Sequence, residues 1–172
     1  MPKLKSSSGP PFSTKKGKVE QSTMDVPVPI FYRRCCSYYV VSVLFVCTGN
    51  AARSQMAEGW LKSMKPGFTV QSAGTNPEGL SSRAVKAMLE IGLDISDQIS
   101  KYLNDVPWKE VDYAITLCGS ANEICVTMDW PEKCVREHWP IADPVSDDEY
   151  IKARDEISDR IKDFVNRIIL IG

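Results

Sequence analysis

Formal charges almost cancel in this chain, with 21 basic side chains against 22 acidic, so no global field draws it to nucleic acid. Long apolar runs are missing too. The apolar run from Val40 to Val46 is too short for a helix of its own, and far too short to span a membrane. Arg33-Arg34 ahead of that run mimics a secretory signal, yet no small-residue cleavage site follows it. Six cysteines in 172 residues are too few for a disulfide scaffold, so a reduced, cytoplasmic setting is expected. The single histidine, His138, stands beside Trp139 at a strand end and is expected to be structural.

What charge there is lies unevenly. Residues 1–34 hold seven Lys/Arg against two Asp/Glu. Residues 1–30 are rich in Ser, Lys, Pro and Gly and lack apolar periodicity, so they read as disordered. A spacer, an organellar presequence and an upstream mis-started translation are alternative readings of this stretch. Cys35-Cys36 at its junction is taken as incidental. A basic tail over 1–36 and one folded domain over 37–172 are therefore expected, with 43% hydrophobic residues supplying a sizeable core.

The folded part is organised around VVSVLFVCTGNAARSQMAEGW, Val40 to Trp60. The β-branched run reads as a buried parallel strand. It stops at Cys47, and a loop of Thr48, Gly49, Asn50, Ala51 and Ala52 leads through Arg53 and Ser54 into a helix. That helix carries Met56, Ala57, Trp60, Leu61 and Met64 at helical spacing. Loop amides and the first helical amides then point into one concavity, which is an anion site. Gly49 is expected to supply the backbone freedom, and Asn50 tolerates left-handed backbone. Arg53 adds a planar fork for an oxyanion. A cysteine at the floor of such a cradle is favoured as the thiolate.

Further along, Phe68 to Gln71 reads as a second strand and 72–77 as a loop. Ser82 to Ile91 is an amphipathic helix closed by Gly92, and Ile99 to Leu103 a helical turn. Val111 to Leu117 is a third strand ending on Cys118. Val135 to Trp139 is a fourth, followed by Ile141-Ala142-Asp143-Pro144, and a long helix covers Asp147 to Ile169. Cys134 is expected to be buried within the fourth strand. Strands alternating with helices imply a doubly wound four-stranded parallel sheet in an α/β domain. Ligands bind at the carboxyl ends of such strands, where Cys47, Cys118 and the Asp143 loop fall.

C-x5-R-S between a strand and a helix resembles the low-molecular-weight tyrosine phosphatases. RSQMAEGW, LCGSANEIC and EHWPIADP look more like their relatives, the thioredoxin-coupled arsenate reductases. The resemblance spans about residues 40 to 169. It implies Cys47 as nucleophile, Arg53 and the loop 48–54 as the arsenate cradle, and Asp143 as the acid that protonates the leaving oxygen. Phosphate or sulfate would compete for the cradle. It also implies a relay from Cys47 to Cys118 to Cys125, ending in a Cys118–Cys125 disulfide that thioredoxin reduces. The sulfurs supply both electrons, so neither a metal nor an organic cofactor is expected.

The spacing of that pair has its own physics. Ser120-Ala121-Asn122-Glu123 has a capping-box pattern, so a short helix is expected between the two cysteines. Seven helical residues separate Cα atoms by roughly 10 Å, whereas a disulfide needs about 4.4–6.8 Å. Joining them would require local unwinding. The chain departs from its relatives at Ala52, where many have a second loop cysteine. Some reductases bind potassium beside the cradle. Asn50, Glu58 and Ser72 match that motif, but Lys101 stands where a carboxylate is expected, so no potassium requirement is anticipated. A phosphatase using Cys47, Arg53 and Asp143, and a non-catalytic oxyanion-binding or partner-binding module, are the alternatives.

Overall fold

A computed structural model describes residues 40–64 and 67–171. The basic tail, Arg33-Arg34, Cys35-Cys36 and the proposed boundary at 36/37 lie outside the described residues. Four strands form one parallel sheet: β1 (Ser42–Cys47), β2 (Thr69–Gly74), β3 (Tyr113–Thr116) and β4 (Val135–His138), in the order β2-β1-β3-β4. Four helices connect and follow them: α1 (Arg53–Ser63), α2 (Ser82–Leu89), α3 (Gly119–Thr127) and α4 (Asp147–Ile171). The expected α/β sheet is the observed one.

β1 is central because its side chains allow it to be. Leu44, Phe45 and Val46 are fully buried, as a parallel strand covered on both faces requires. The chain leaves β1 to form β2 on one side, then crosses to β3 on the other. Cys47 therefore stands at the switch point where connections diverge and a crevice opens. α1 packs on β1, β2 and α4, and α2 packs on α1 and α4, while α3 packs on β1 and β3. Phe164 of α4 gathers an aromatic cluster, with ring centroids 6.5 Å from Phe68, 5.1 Å from Tyr113 and 5.8 Å from Trp139.

Several boundaries differ from the sequence expectation. β2 runs on through Ser72-Ala73-Gly74, which looked like loop, because these small residues pair with Phe45, Val46 and Cys47. The turn expected at Ile99–Leu103 is instead a 3-10 turn at Leu103–Asp105, and Tyr102 pairs with Gly74 as a single bridge. β4 ends at His138, and Cys134 precedes it and is half-buried rather than buried inside the strand. α3 starts earlier than the capping-box pattern suggested. Cys118 is its N-cap, and no side chain caps it.

Candidate active site

Trans peptide geometry builds the cradle. Every carbonyl from Cys47 to Ala52 is turned outward and accepts a hydrogen bond. Thr75, Asn76, Glu78 and Ser81 give their amides to Cys47, Thr48, Gly49 and Ala51 at 3.2, 2.9, 2.9 and 2.9 Å. Gln55 Nε2 reaches the Asn50 carbonyl at 3.0 Å, and Met56 N reaches Ala52 at 2.8 Å. In a trans peptide the N–H points opposite the C=O, so the amides of residues 48–53 turn inward. The N-terminus of α1 carries no side-chain cap and no acid in its first turn. Both leave its positive end to an anion.

Two positions make that loop possible. Asn50, with φ +44°, is the only non-glycine residue with positive φ among the described residues. Gly49 was expected to supply this freedom and does not. A Cβ there would lie 3.1 Å from Glu78 Oε2, the tip of an exposed side chain that can move aside. Gly74, on β2 opposite Cys47, is the stricter case. A Cβ on Gly74 would stand 2.5 Å from the Thr48 carbonyl oxygen and 2.9 Å from Asn50 N.

Asn50 is the hub. Its Nδ2 donates to Ser54 Oγ at 2.8 Å and to Ser72 Oγ at 2.9 Å. Its Oδ1 accepts from Lys101 N at 2.8 Å and Gln55 Nε2 at 3.1 Å, so the buried amide is fully satisfied. Ser54 Oγ lies 2.9 Å from Cys47 Sγ. Ser72 Oγ passes the chain on to Glu58 Oε2 at 2.5 Å.

Arg53 lies largely buried beneath the loop after β4. Its Nη1 donates to the Ile141 carbonyl at 3.1 Å, and its Nη2 pairs with Asp143 Oδ1 at 2.9 Å. Asp143 itself is 77% exposed, so it faces solvent above the cradle's arginine. Cys118 comes to the rim from the other side, with its Sγ 3.3 Å from Thr48 Oγ1. Cys125 is buried at the far end of α3, and its thiol is pushed up to about 11 by burial and by the neighbouring Cys118. Both cysteines are free thiols. Cys47, the loop 48–54, Arg53, Asp143 and Cys118 are thus brought together, and Cys125 is held apart by an intact helix. His138 Nδ1 sits 2.9 Å from Thr116 Oγ1, a structural place between β4 and β3.

A family model described as low molecular weight phosphotyrosine protein phosphatase matches residues 42–169. The chain belongs to this family. Within the phosphatase family, its sequence is 41% identical to an arsenate reductase of Bacillus subtilis (strain 168) over 131 residues, covering 71% of this chain and 93% of that protein. An arsenate reductase of Halalkalibacterium halodurans is 42% identical, again covering 71% and 93%. The solved structure of an arsenate reductase in the phosphate binding state superposes with a TM-score of 0.64 at 29% identity, covering 75% of this chain and 99% of that one.

Sequence reasoning missed three parts of the site. Lys62 pairs with Glu58 at 2.5 Å, and its i,i+4 spacing was a signal available in the sequence. Ser100 Oγ donates to the carbonyls of Gly49 and Asn50, and residues 75–81 hold the loop carbonyls. Neither of these has a local signature.

Proposed function

We propose that this protein reduces arsenate to arsenite with three of its own thiols and hands the resulting disulfide to thioredoxin. Arsenate enters the cradle of residues 48–54, where inward amides and Arg53 hold its oxygens. Ser54, already accepting from Asn50, keeps its own O–H to give to a Cys47 thiolate. Cys47 attacks arsenic, and Asp143 gives a proton to the departing hydroxide. Cys118 then attacks the Cys47 sulfur. The S–As electron pair goes to arsenic, arsenite leaves, and a Cys47–Cys118 disulfide remains. Cys125 attacks Cys118 and expels the Cys47 thiolate, leaving Cys118–Cys125. Two electrons from thioredoxin restore both thiols.

The observation that carries this reading is Cys118 Sγ at 3.3 Å from Thr48 Oγ1, a second thiol at the mouth of the cradle. Hydrolysis of a phosphate ester needs no thiol there. The kinship with reductases of about 40% identity supports the same choice. The relay further requires α3 to open, because its nine residues form one continuous helix. High basicity keeps buried Cys125 protonated until then, which delays its attack.

A phosphatase built on the same Cys47, Arg53 and Asp143 is the second reading, favoured by the Arg53–Asp143 pair standing ready beside the cradle. The deciding experiment measures arsenate-dependent NADPH consumption with thioredoxin and its reductase, run beside aryl-phosphate hydrolysis. Reductase turnover is expected. Ester hydrolysis without arsenate-driven thiol oxidation would give the case to the phosphatase.

A further inference from the structure

Glu58 is a carboxylate only 3% exposed, a situation that is costly unless every oxygen is engaged and the charge matched. Both conditions are met within the chain. Lys62 Nζ stands 2.5 Å from Oε1, Ser72 Oγ 2.5 Å from Oε2, and Lys101 Nζ 3.8 Å from Oε2. The Lys101 ammonium also donates to the Ile99 carbonyl at 3.1 Å. The backbone of the same residue holds Asn50 Oδ1 and accepts from Gly74 N, each at 2.8 Å.

These bonds continue without a break to the nucleophile. Ser72 gives its hydroxyl proton to Glu58, so it can only accept from Asn50 Nδ2. The other Asn50 N–H goes to Ser54, and the Ser54 hydroxyl is thereby left for Cys47 Sγ. Glu58, by accepting from Ser72, thus keeps Ser72 an acceptor toward Asn50, whose two N–H donors fix the rest of the chain.

Some reductases that the sequence resembles bind potassium beside the cradle, and the residues present here do not fit such an ion. A potassium ion replaces its hydration shell with several oxygens. Here the Lys62 ammonium already takes Glu58 Oε1 and the Ser72 hydroxyl takes Oε2, with the Lys101 ammonium adding a second positive charge 3.8 Å from Oε2. Gln55 Oε1, buried without a partner, is one acceptor rather than a cage.

We propose that Lys62 and Lys101 are positioning residues that serve as a built-in cation, supplying the countercharge of Glu58 and, through Ser72, Asn50 and Ser54, orienting Cys47. This rests on Cys47 being the nucleophile of the reaction proposed above. Turnover of the natural protein is then indifferent to whether potassium, sodium or choline chloride sets the ionic strength.

The test compares the parent with Lys62→Met/Lys101→Met in those three salts. Two readouts are followed: kcat and KM for arsenate, and the rate of iodoacetamide alkylation at Cys47, resolved by peptide mapping. The double variant is expected to lose about 10- to 100-fold in kcat and in alkylation rate in choline chloride, and potassium chloride is expected to recover a large part of both. Adding Glu58→Gln, which keeps the bond to Ser72 and removes the charge, should make both lysines dispensable.

Should the double variant fail to fold, Glu58→Gln alone is compared with the triple variant. Equal rates in all salts support the proposal, and a further drop overturns it. Potassium dependence of the parent, or a double variant unchanged in both readouts, would also overturn it. So would a loss that neither potassium nor Glu58→Gln recovers. Alkylation requires no arsenate, so a parent protein that lacks reductase activity would refute the reductase reading alone.

Discussion

Around Cys47 every backbone carbonyl from 47 to 52 has a protein partner, and the Asn50 side chain has no free hydrogen-bonding capacity left. α3, which carries Cys118 at its cap and Cys125 within it, is held far more lightly. It buries only Ala121 and Cys125, leaves Ile124 46% and Val126 63% exposed, and has no side-chain cap. One region must hold an oxyanion in a single geometry, and its bonds over-determine that geometry. In the proposed relay the other must change shape for its two sulfurs to meet, and few buried contacts oppose the change. Rigidity and looseness are assigned to neighbouring segments that meet at Thr48 and Cys118.

The comparison breaks most completely at Cys125. Cys125→Ser should complete one arsenate turnover and then stop, with a Cys47–Cys118 disulfide trapped and visible by peptide mapping. Sustained turnover with thioredoxin would refute the relay. Aryl-phosphate hydrolysis, which uses only the rigid region, should persist in this variant.

Next in size is the rigid side. Gly74→Ala places a methyl group 2.5 Å from the Thr48 carbonyl, where backbone must give way. Both reductase and ester-hydrolysis rates should fall about 100-fold, with roughly 1–3 kcal/mol of stability lost in denaturant titration. A variant of parental activity would show that the cradle tolerates displacement and is not rigid.

The loose side is sharpened by loosening it further. Glu123 is exposed on α3, and Glu123→Gly should weaken that helix by roughly 0.5–1 kcal/mol. Formation of Cys118–Cys125 from a preformed Cys47–Cys118 disulfide should then speed up about two- to fivefold in quenched-flow mapping. A slower rate would mean that α3 presents Cys125 as a folded helix.

The last test is a pH dependence, which leaves turnover at neutral pH untouched. Burial raises the Cys125 thiol from its ordinary 9.0 to about 11 in the folded protein. The folded state then holds a proton that the unfolded state releases, so this contribution to stability is full below pH 9 and lost as pH rises towards 11. Melting temperature should therefore fall less over that window in Cys125→Ala than in the parent. Parallel curves would place Cys125 in a wetter setting than the one described.

Much of this was legible in advance, and for definite reasons. The β-branched run ending on Cys47, the Arg53-Ser54 turn into a helix and the 3.6-residue stripe of α4 are local patterns. Local patterns survive in sequence because strands and helices bury side chains at fixed periods. The end of β2 was misread since Ser72-Ala73-Gly74 has the composition of a loop. Only its pairing with Phe45–Cys47 makes it a strand. The cap of α3 was misplaced because the S-x-x-E pattern competes with a chain already turning at Cys118, where β3 ends against the cradle.

By itself the sequence determined an α/β chain, a cysteine delivered by a buried strand to a helix N-terminus, an arginine beside it and two more cysteines seven residues apart. These follow from periodicity and short-range backbone geometry, which act between near neighbours. Tertiary structure alone decided that β3 lies beside β1, so that Cys118 meets Thr48, and that Arg53 finds Asp143 across 90 residues of chain. It also decided which carbonyls 75–81 would hold and that Lys101 would join Lys62 at Glu58. Such contacts depend on strand order and loop path, and no spacing along the chain encodes either.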